Sequence, residues 1–210
     1  MALVKYNNNS ISAVTSSASF PAGALTLIKT LTASSSSTLS FVHGSSDVVL
    51  DSTYPIYVFK FINIHPETDN ATSTNYFEVN FRDGSTDYDA TKTTTVFRAY
   101  HFEDDSTQAI AYETSHDLAQ STSFQKIAQG ISADNDHSVV GTLHLFNPSS
   151  TTFVKHFLCE TTNAHSTNAS YRWNVAGYCN TTTAIDGIQF KMTTGNIDAG
   201  TIKLYGIKDS

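Results

Sequence analysis

Cysteine is nearly absent from this 210-residue chain: there are only Cys159 and Cys179. They fall in consecutive strand-like segments, so spacing allows a disulfide without implying one, and two buried thiols are expected. Two cysteines are also too few for a structural zinc site without two well-placed histidines. Basic residues are scarce as well. Twelve Lys and Arg stand against nineteen Asp and Glu, for a formal charge of −7. No basic stripe forms, which speaks against nucleic-acid binding through phosphate neutralisation and against attraction to an anionic membrane. No run of eighteen apolar residues exists, so no membrane-spanning helix is expected. Met1 to Asn9 lacks a positive region followed by an apolar run, so no signal peptide is expected and synthesis in a cytoplasm is. Helix-forming Glu/Lys/Leu runs are missing, and charged residues are only 15% of the chain, too few for a disordered segment.

What is present is aromatic and hydroxylated. The chain has 13 Phe, 10 Tyr and about a quarter Ser plus Thr, a composition that suits a pleated, half-buried surface. Residues 24–33 (ALTLIKTLTA) alternate with Leu25, Leu27 and Leu31 on the apolar side, and residues 38–42 read as the return strand of a hairpin. Residues 55–65 (PIYVFKFINIH) are apolar on both faces, which predicts a central strand. Residues 76–82 form a further strand ending in the Asp83-Gly84 turn, and 93–102, 138–146, 152–161, 170–178, 184–193 and 199–207 complete the set. Residues 106–137 carry no strand pattern, and 106–120 are predicted to hold one or two short helical turns. About ten short strands without crossover helices predict an all-β, single-domain, jelly-roll-type antiparallel β-sandwich over residues 23–210. Residues 1–22, polar and small, read as an extended N-terminal arm that can add a strand to a neighbour's sheet.

Candidate chemistry is diffuse. The eight histidines (His43, His65, His101, His116, His137, His144, His156, His165) show no i, i+2 or i, i+4 pair and no HExxH motif. His144 and His156 flank a turn and are candidates for a cross-hairpin pair. Asp83, Asp87 and Asp89, and separately Glu103, Asp104 and Asp105, could offer oxygen ligands to Ca²⁺, but the twelve-residue ligand loop is missing and turn Asp residues commonly bond their own backbone. No GxSxG elbow and no distinctive carboxylate pair stands out, so no enzyme, metal or cofactor is expected. Tyr88, Tyr112, Tyr171 and Trp173 are the residues able to stack on sugar rings, against the alternative that Trp173 and the strand aromatics fill the core.

Four blocks carry a resemblance: LTLIKTLTASSSSTLSF (residues 25–41), LDSTYPIYVFKFINIHPETDN (50–70), GTLHLFNPSSTTFVKHF (141–157) and IDGIQFKMTTGNIDAGTIKLYGIK (185–208). Together they resemble a family of virion structural proteins of marine bacteriophages, described as tail-fibre-like or capsid-associated. The terminal TGNIDAGTIKLYGI is the most specific piece, and residues 106–137 are more variable, so nothing is carried over there. The resemblance implies a β-sandwich located on the virion, contacts with other capsid or tail proteins, a homo-oligomer with a trimer favoured, and no catalytic residues. Host surface polysaccharide is the alternative partner, through the loops at 83–89, 103–136 and 162–169.

Overall fold

The structure is a computed structural model and describes residues 25–68 and 74–208. The arm expected over residues 1–22 lies outside the described residues. Twelve strands run through the described chain: β1 (Leu25–Thr32), β2 (Leu39–Val42), β3 (Ile56–Pro66), β4 (Tyr76–Arg82), β5 (Lys92–Phe102), β6 (Gln108–Tyr112), β7 (Gln125–Gln129), β8 (Val139–Phe146), β9 (Lys155–His165), β10 (Ala169–Cys179), β11 (Gly187–Met192) and β12 (Ile197–Ile207). The fold is all-β and sandwich-like, as the alternation predicted. One sheet has eight strands in the order β1-β12-β3-β8-β9-β10-β5-β6, the other four in the order β2-β11-β4-β7, and every pairing is antiparallel.

The pairings nest. β1 pairs with β12, β2 with β11, β3 with β8 and β4 with β7. The chain thus winds as one long folded ribbon whose halves meet. Two hairpins interrupt it: β5–β6 between β4 and β7, and β9–β10 between β8 and β11. These join side by side at the β8 edge and widen one sheet from four strands to eight.

Aromatic packing holds the two sheets together. Phe190 of β11 meets Phe41 at 6.4 Å, Phe59 at 5.6 Å, Phe61 at 5.3 Å and Phe77 at 5.8 Å between ring centroids. Its partners therefore come from both sheets, and all five side chains are buried. Edge-to-face and offset geometries of this kind add about 0.5–1.5 kcal/mol per pair beyond area burial. The widened part of the large sheet is held differently. Thr161 Oγ1 donates to the Ile127 carbonyl, and Asn163 Nδ2 donates to the Gln129 carbonyl at 3.1 Å. Thr94 Oγ1 donates to Gln125 Oε1 at 2.6 Å. Side chains of β9 and β5 thus satisfy polar groups along β7, which is the edge of the small sheet, so that edge is not left open.

Four expectations change. β2 does not return beside β1 as a hairpin; it crosses to the other sheet and pairs with β11. Leu25 and Leu27 are not on the buried side of β1. A register shift at Ile28 re-aims the strand, so that Ile28 and Leu31 pack on the core while Leu25 and Leu27 face outward. Residues 106–137 contain strands β6 and β7, and the expected helical turns reduce to a single turn in which Asp117 N–H bonds the Glu113 carbonyl. The loop expected from residue 163 begins later, because β9 continues to His165. The bulge expected at Gly200 is present: the β12–β3 register shifts on both sides of Ala199, Gly200 has φ +112°, and a Cβ there would lie 2.5 Å from the Asn63 carbonyl oxygen.

Because the Phe190 ring serves both sheets, Phe190→Ala is expected to lower unfolding stability by about 3–5 kcal/mol. Urea denaturation followed by tryptophan fluorescence measures this; a loss under 1 kcal/mol would show that Phe190 is not central to the packing.

Candidate functional site

Antiparallel registers gather one end of the large sheet. Ile64 of β3 faces Val139 of β8, Val139 faces Asn163 of β9, His165 faces Ala169 of β10, Ala169 faces Phe102 of β5, and His101 faces Gln108 of β6. Four of the eight histidines, His65, His101, His137 and His165, thereby arrive at one rim, together with Glu103, Asp105, Asp134, Asp136 and Asp198. Spacing along the chain gave no sign of this, because the grouping depends on strand order.

Two open grooves lie in the rim. The larger, about 530 Å³, is lined by His101, Glu103, Asp105, Thr162 and Ser170 among others. It brings the 103–105 turn against the β9–β10 turn, two of the loops named from sequence as polysaccharide contacts. His101 Nε2 donates to Asp105 Oδ1 at 2.9 Å. The second groove, about 400 Å³, lies between the β3–β12 bulge and the segment before β8, beside His65, His137 and Asp198. His65 Nε2 donates to the Asp134 carbonyl at 3.2 Å, and its Nδ1 lies 3.8 Å from Asp198 Oδ2. Both grooves offer carboxylates, hydroxyls and imidazole N–H groups to a hydroxyl-rich ligand. No group of three or more His, Cys, Asp or Glu among the described residues has the geometry to hold a metal.

Behind the rim, the inner face of the widened sheet carries a polar-aromatic cluster. The Arg98 guanidinium lies 5.1 Å from the Tyr100 and Tyr171 ring centroids and 5.5 Å from that of Trp173. Its Nε is 2.5 Å from Glu113 Oε1. The His165 ring stacks on Tyr171 at 4.1 Å, with Gly130 passing so close that a Cβ would overlap the imidazole. His116 sits 5.3 Å from Trp173. Burial, with Lys126 and Arg98 adding repulsion, lowers the His116 pKa to about 4. Burial, with Arg98 and His137, lowers that of His165 to about 4 as well. Both imidazoles are therefore neutral at pH 7, and the 3.8 Å approach of His116 Nδ1 to Glu113 is not an ion pair there.

The four aromatics singled out as sugar-stacking candidates do not form one surface. Tyr171 (5% exposed) and Trp173 (1% exposed) are packed in the Arg98 cluster and offer no free ring face. Their alternation with polar neighbours on β10 is what places them inward. Tyr112 is exposed on the edge strand β6, where its hydroxyl donates to Asp117 Oδ2 at 2.7 Å. Tyr88 is half-buried in the 83–91 loop beyond the opposite end of β5. The two acidic loops are also separated, since eleven-residue β5 lies between them and spans about 36 Å. His144 does not pair with His156: it faces Leu158 and stacks near Phe146, while His156 packs on Tyr178. Cys159 and Cys179 are free and buried. Burial pushes both thiols up, Cys179 to about 12, which is the opposite of what a nucleophilic cysteine needs.

No family model matches the chain, and no curated protein matches it. A solved structure from Bacteroides ovatus, a structural-genomics protein of unknown function, aligns with 50% of this chain and 46% of its own at 9% identity, with a TM-score of 0.27. A likeness at that level carries no argument about fold or activity.

The buried histidines generate a pH dependence. Each has a folded pKa near 4 against 6.5 in the unfolded chain, so the unfolded state binds more protons between those values. Stability is accordingly full above about pH 6.5 and falls as pH drops toward 4, by up to roughly 1.4 kcal/mol per pH unit for each histidine. Denaturant midpoints from pH 7 to 4.5 should show this slope, and a His116→Gln/His165→Gln double variant should flatten it. An unchanged slope in that variant would assign the effect to other groups.

Proposed function

We propose that the chain is a structural and contact subunit on the exterior of a bacteriophage particle, built on a jelly-roll sandwich. The nested pairing of β1 with β12, β2 with β11, β3 with β8 and β4 with β7 supports the jelly-roll reading, with β5–β6 and β9–β10 as insertions. The phage-virion resemblance of the four sequence blocks supports the location.

The observation that carries the contact role is the outer face of the widened sheet. Tyr112 lies beside Phe97, Phe97 beside Asn174, and Asn174 beside Glu160. In the next row Ile110, Ala99, Arg172, Thr162 and Val140 are neighbours. Phe97, Ile110, Tyr112, Val140 and Leu158 are all exposed, Ile110 at 78%. A groove of about 220 Å³ runs between Phe97 and Leu158. Single exposed apolar residues need no explanation, but a sheet face carrying five of them, with Phe97 and Leu158 lining a groove, suits a subunit contact. β6 also ends the sheet without a charged residue, a proline or a bulge to guard it. The reading therefore includes a homo-oligomer, with a trimer favoured, in contact with other virion proteins.

Mass spectrometry of purified particles should find this polypeptide at a fixed stoichiometric copy number, and native mass spectrometry of the isolated protein should find an oligomer. Phe97→Lys/Leu158→Lys is expected to weaken that oligomer at least tenfold in Kd, about 1.4 kcal/mol or more. Absence from particles would refute the assignment.

The groove at His101, Glu103, Asp105, Thr162 and Ser170 favours a second reading, a lectin-like module recognising host surface polysaccharide. It predicts saturable glycan-array binding by the wild-type protein, reduced tenfold or more by His101→Ala/Glu103→Ala. Failure to bind any glycan on the array or intact host cells would leave the architectural role alone.

A further inference from the structure

At the end of the sandwich opposite the histidine rim, two lysines are wholly buried. Lys92 opens β5 and Lys155 opens β9, and both face Cys179 across neighbouring strands. None of the ion pairs among the described residues involves either. An ammonium buried without a carboxylate is costly, and a group in that position gains by becoming neutral. Lys155 has its Nζ 3.1 Å from the Thr181 carbonyl. Lys92 is placed differently, because its nearest partner is a side-chain carboxamide, whose oxygen accepts from the Lys92 ammonium and whose carbon is the adjoining electrophile. Lys92 Nζ lies 2.5 Å from Asn80 Oδ1.

The surroundings of that pair hold it as a reactive couple. Asn80 is wholly buried on β4, in the four-stranded sheet, whereas Lys92 belongs to the eight-stranded one. Asn80 Oδ1 also accepts the Phe81 backbone N–H at 2.9 Å, which draws electron density from the carboxamide carbon. Asn80 Nδ2 donates to the Thr122 carbonyl at 2.9 Å, fixing which end of the amide faces the lysine. Lys92 Nζ in turn donates to the Ala90 carbonyl at 2.9 Å. Water is excluded from both side chains, so hydrolysis does not compete with attack by the amine.

We propose that Lys92 and Asn80 form an intramolecular isopeptide bond joining β4 to β5. The neutral Lys92 amine attacks Asn80 Cγ, and a C–N bond forms. The bond from Cγ to Nδ2 breaks, one proton passes from Nζ to the departing nitrogen, and ammonia leaves. Nothing is oxidised or reduced, and no co-reactant is consumed. The product replaces a buried ammonium by a neutral secondary amide, which supplies a drive for the reaction. Burial lowers the Lys92 pKa to about 8, so a useful fraction of the amine is already neutral near pH 7. Positioning the two groups in one closed site supplies the effective concentration that a free lysine and asparagine lack. Lys155 holds its Nζ against a backbone carbonyl and is not expected to react.

Peptide mapping of the purified full-length protein tests this. The link removes about 17 Da, the mass of one ammonia, and blocks trypsin at Lys92. Residues 61–82 and 83–98 should therefore appear as a single branched species, with fragment ions placing the junction at Asn80 and Lys92. Lys92→Met should restore the separate 61–82 peptide at its sequence mass, while Lys155→Met should keep the branch. Peptides 61–82 and 83–92 recovered only at their sequence masses would overturn the proposal. So would a 17 Da deficit confined to 61–82 alone, which marks a succinimide. Mapping the unsubstituted protein decides the matter even where a variant folds poorly.

Discussion

The two sheets depend on aromatic packing between them, centred on the Phe190 ring set among Phe41, Phe59, Phe61 and Phe77 and joined by the Phe41–Phe59, Phe61–Phe77 and Phe81–Phe157 pairs. A sheet is apolar on one face and must bury it, and here the burial concentrates on a strand, β11, that sits next to β2 and β4 in the small sheet while its phenylalanine touches β3 in the large one. Ile188 and Met192 share the buried face of β11 with Phe190. This packing registers the narrower part of the large sheet on the small one. β3 and β12 are aligned by it, and β8 is aligned by β3.

Beyond β8 the physics changes. The added strands β9, β10 and β5 meet the small sheet at β7 and, at their other end, at β4 through Phe157–Phe81 and Lys92–Asn80, and their inner faces carry Thr161, Asn163, His165, Arg98 and Thr94 beside the aromatics. Several polar groups buried there are matched to backbone carbonyls and to one another, since an unmatched one costs about 1–3 kcal/mol, while Asn163 Oδ1 and Trp173 Nε1 are buried without a hydrogen-bond partner. Such a region is less forgiving of substitution than the phenylalanine core and more responsive to protonation, since His116 and His165 remain neutral only while they stay buried.

This division arranges what the surface presents. The inner side of the insertions is occupied by the Arg98 cluster, so their outer side and their end are what remain for other molecules. The outer side carries apolar residues around the Phe97–Leu158 groove; the end is polar and rich in imidazole and carboxylate. Those two surfaces suit two kinds of partner, a protein face for the first and a hydroxyl-rich ligand for the second, which is why the architectural and the polysaccharide readings can hold on one molecule.

Some of this was written in the chain itself. The apolar run at 55–65 and the strand patterning along 76–82, 152–161 and 170–178 reflect the two-residue period of an extended backbone, so the all-β class, most strands and the inward placement of Trp173 were legible. The Gly200 bulge was legible because glycine alone tolerates that backbone. Strand partners were not legible. β2 pairs with a strand almost 150 residues away, a one-residue bulge at Ile28 turns Leu25 and Leu27 outward, and β6 and β7 are strands because neighbours supply their hydrogen bonds, their own five residues being too short and too polar to declare it. The histidine rim, the Arg98 cluster and the approach of Lys92 to Asn80 share that origin. Each joins residues from strands distant in sequence, and only the register of a folded sheet brings them within a few ångströms.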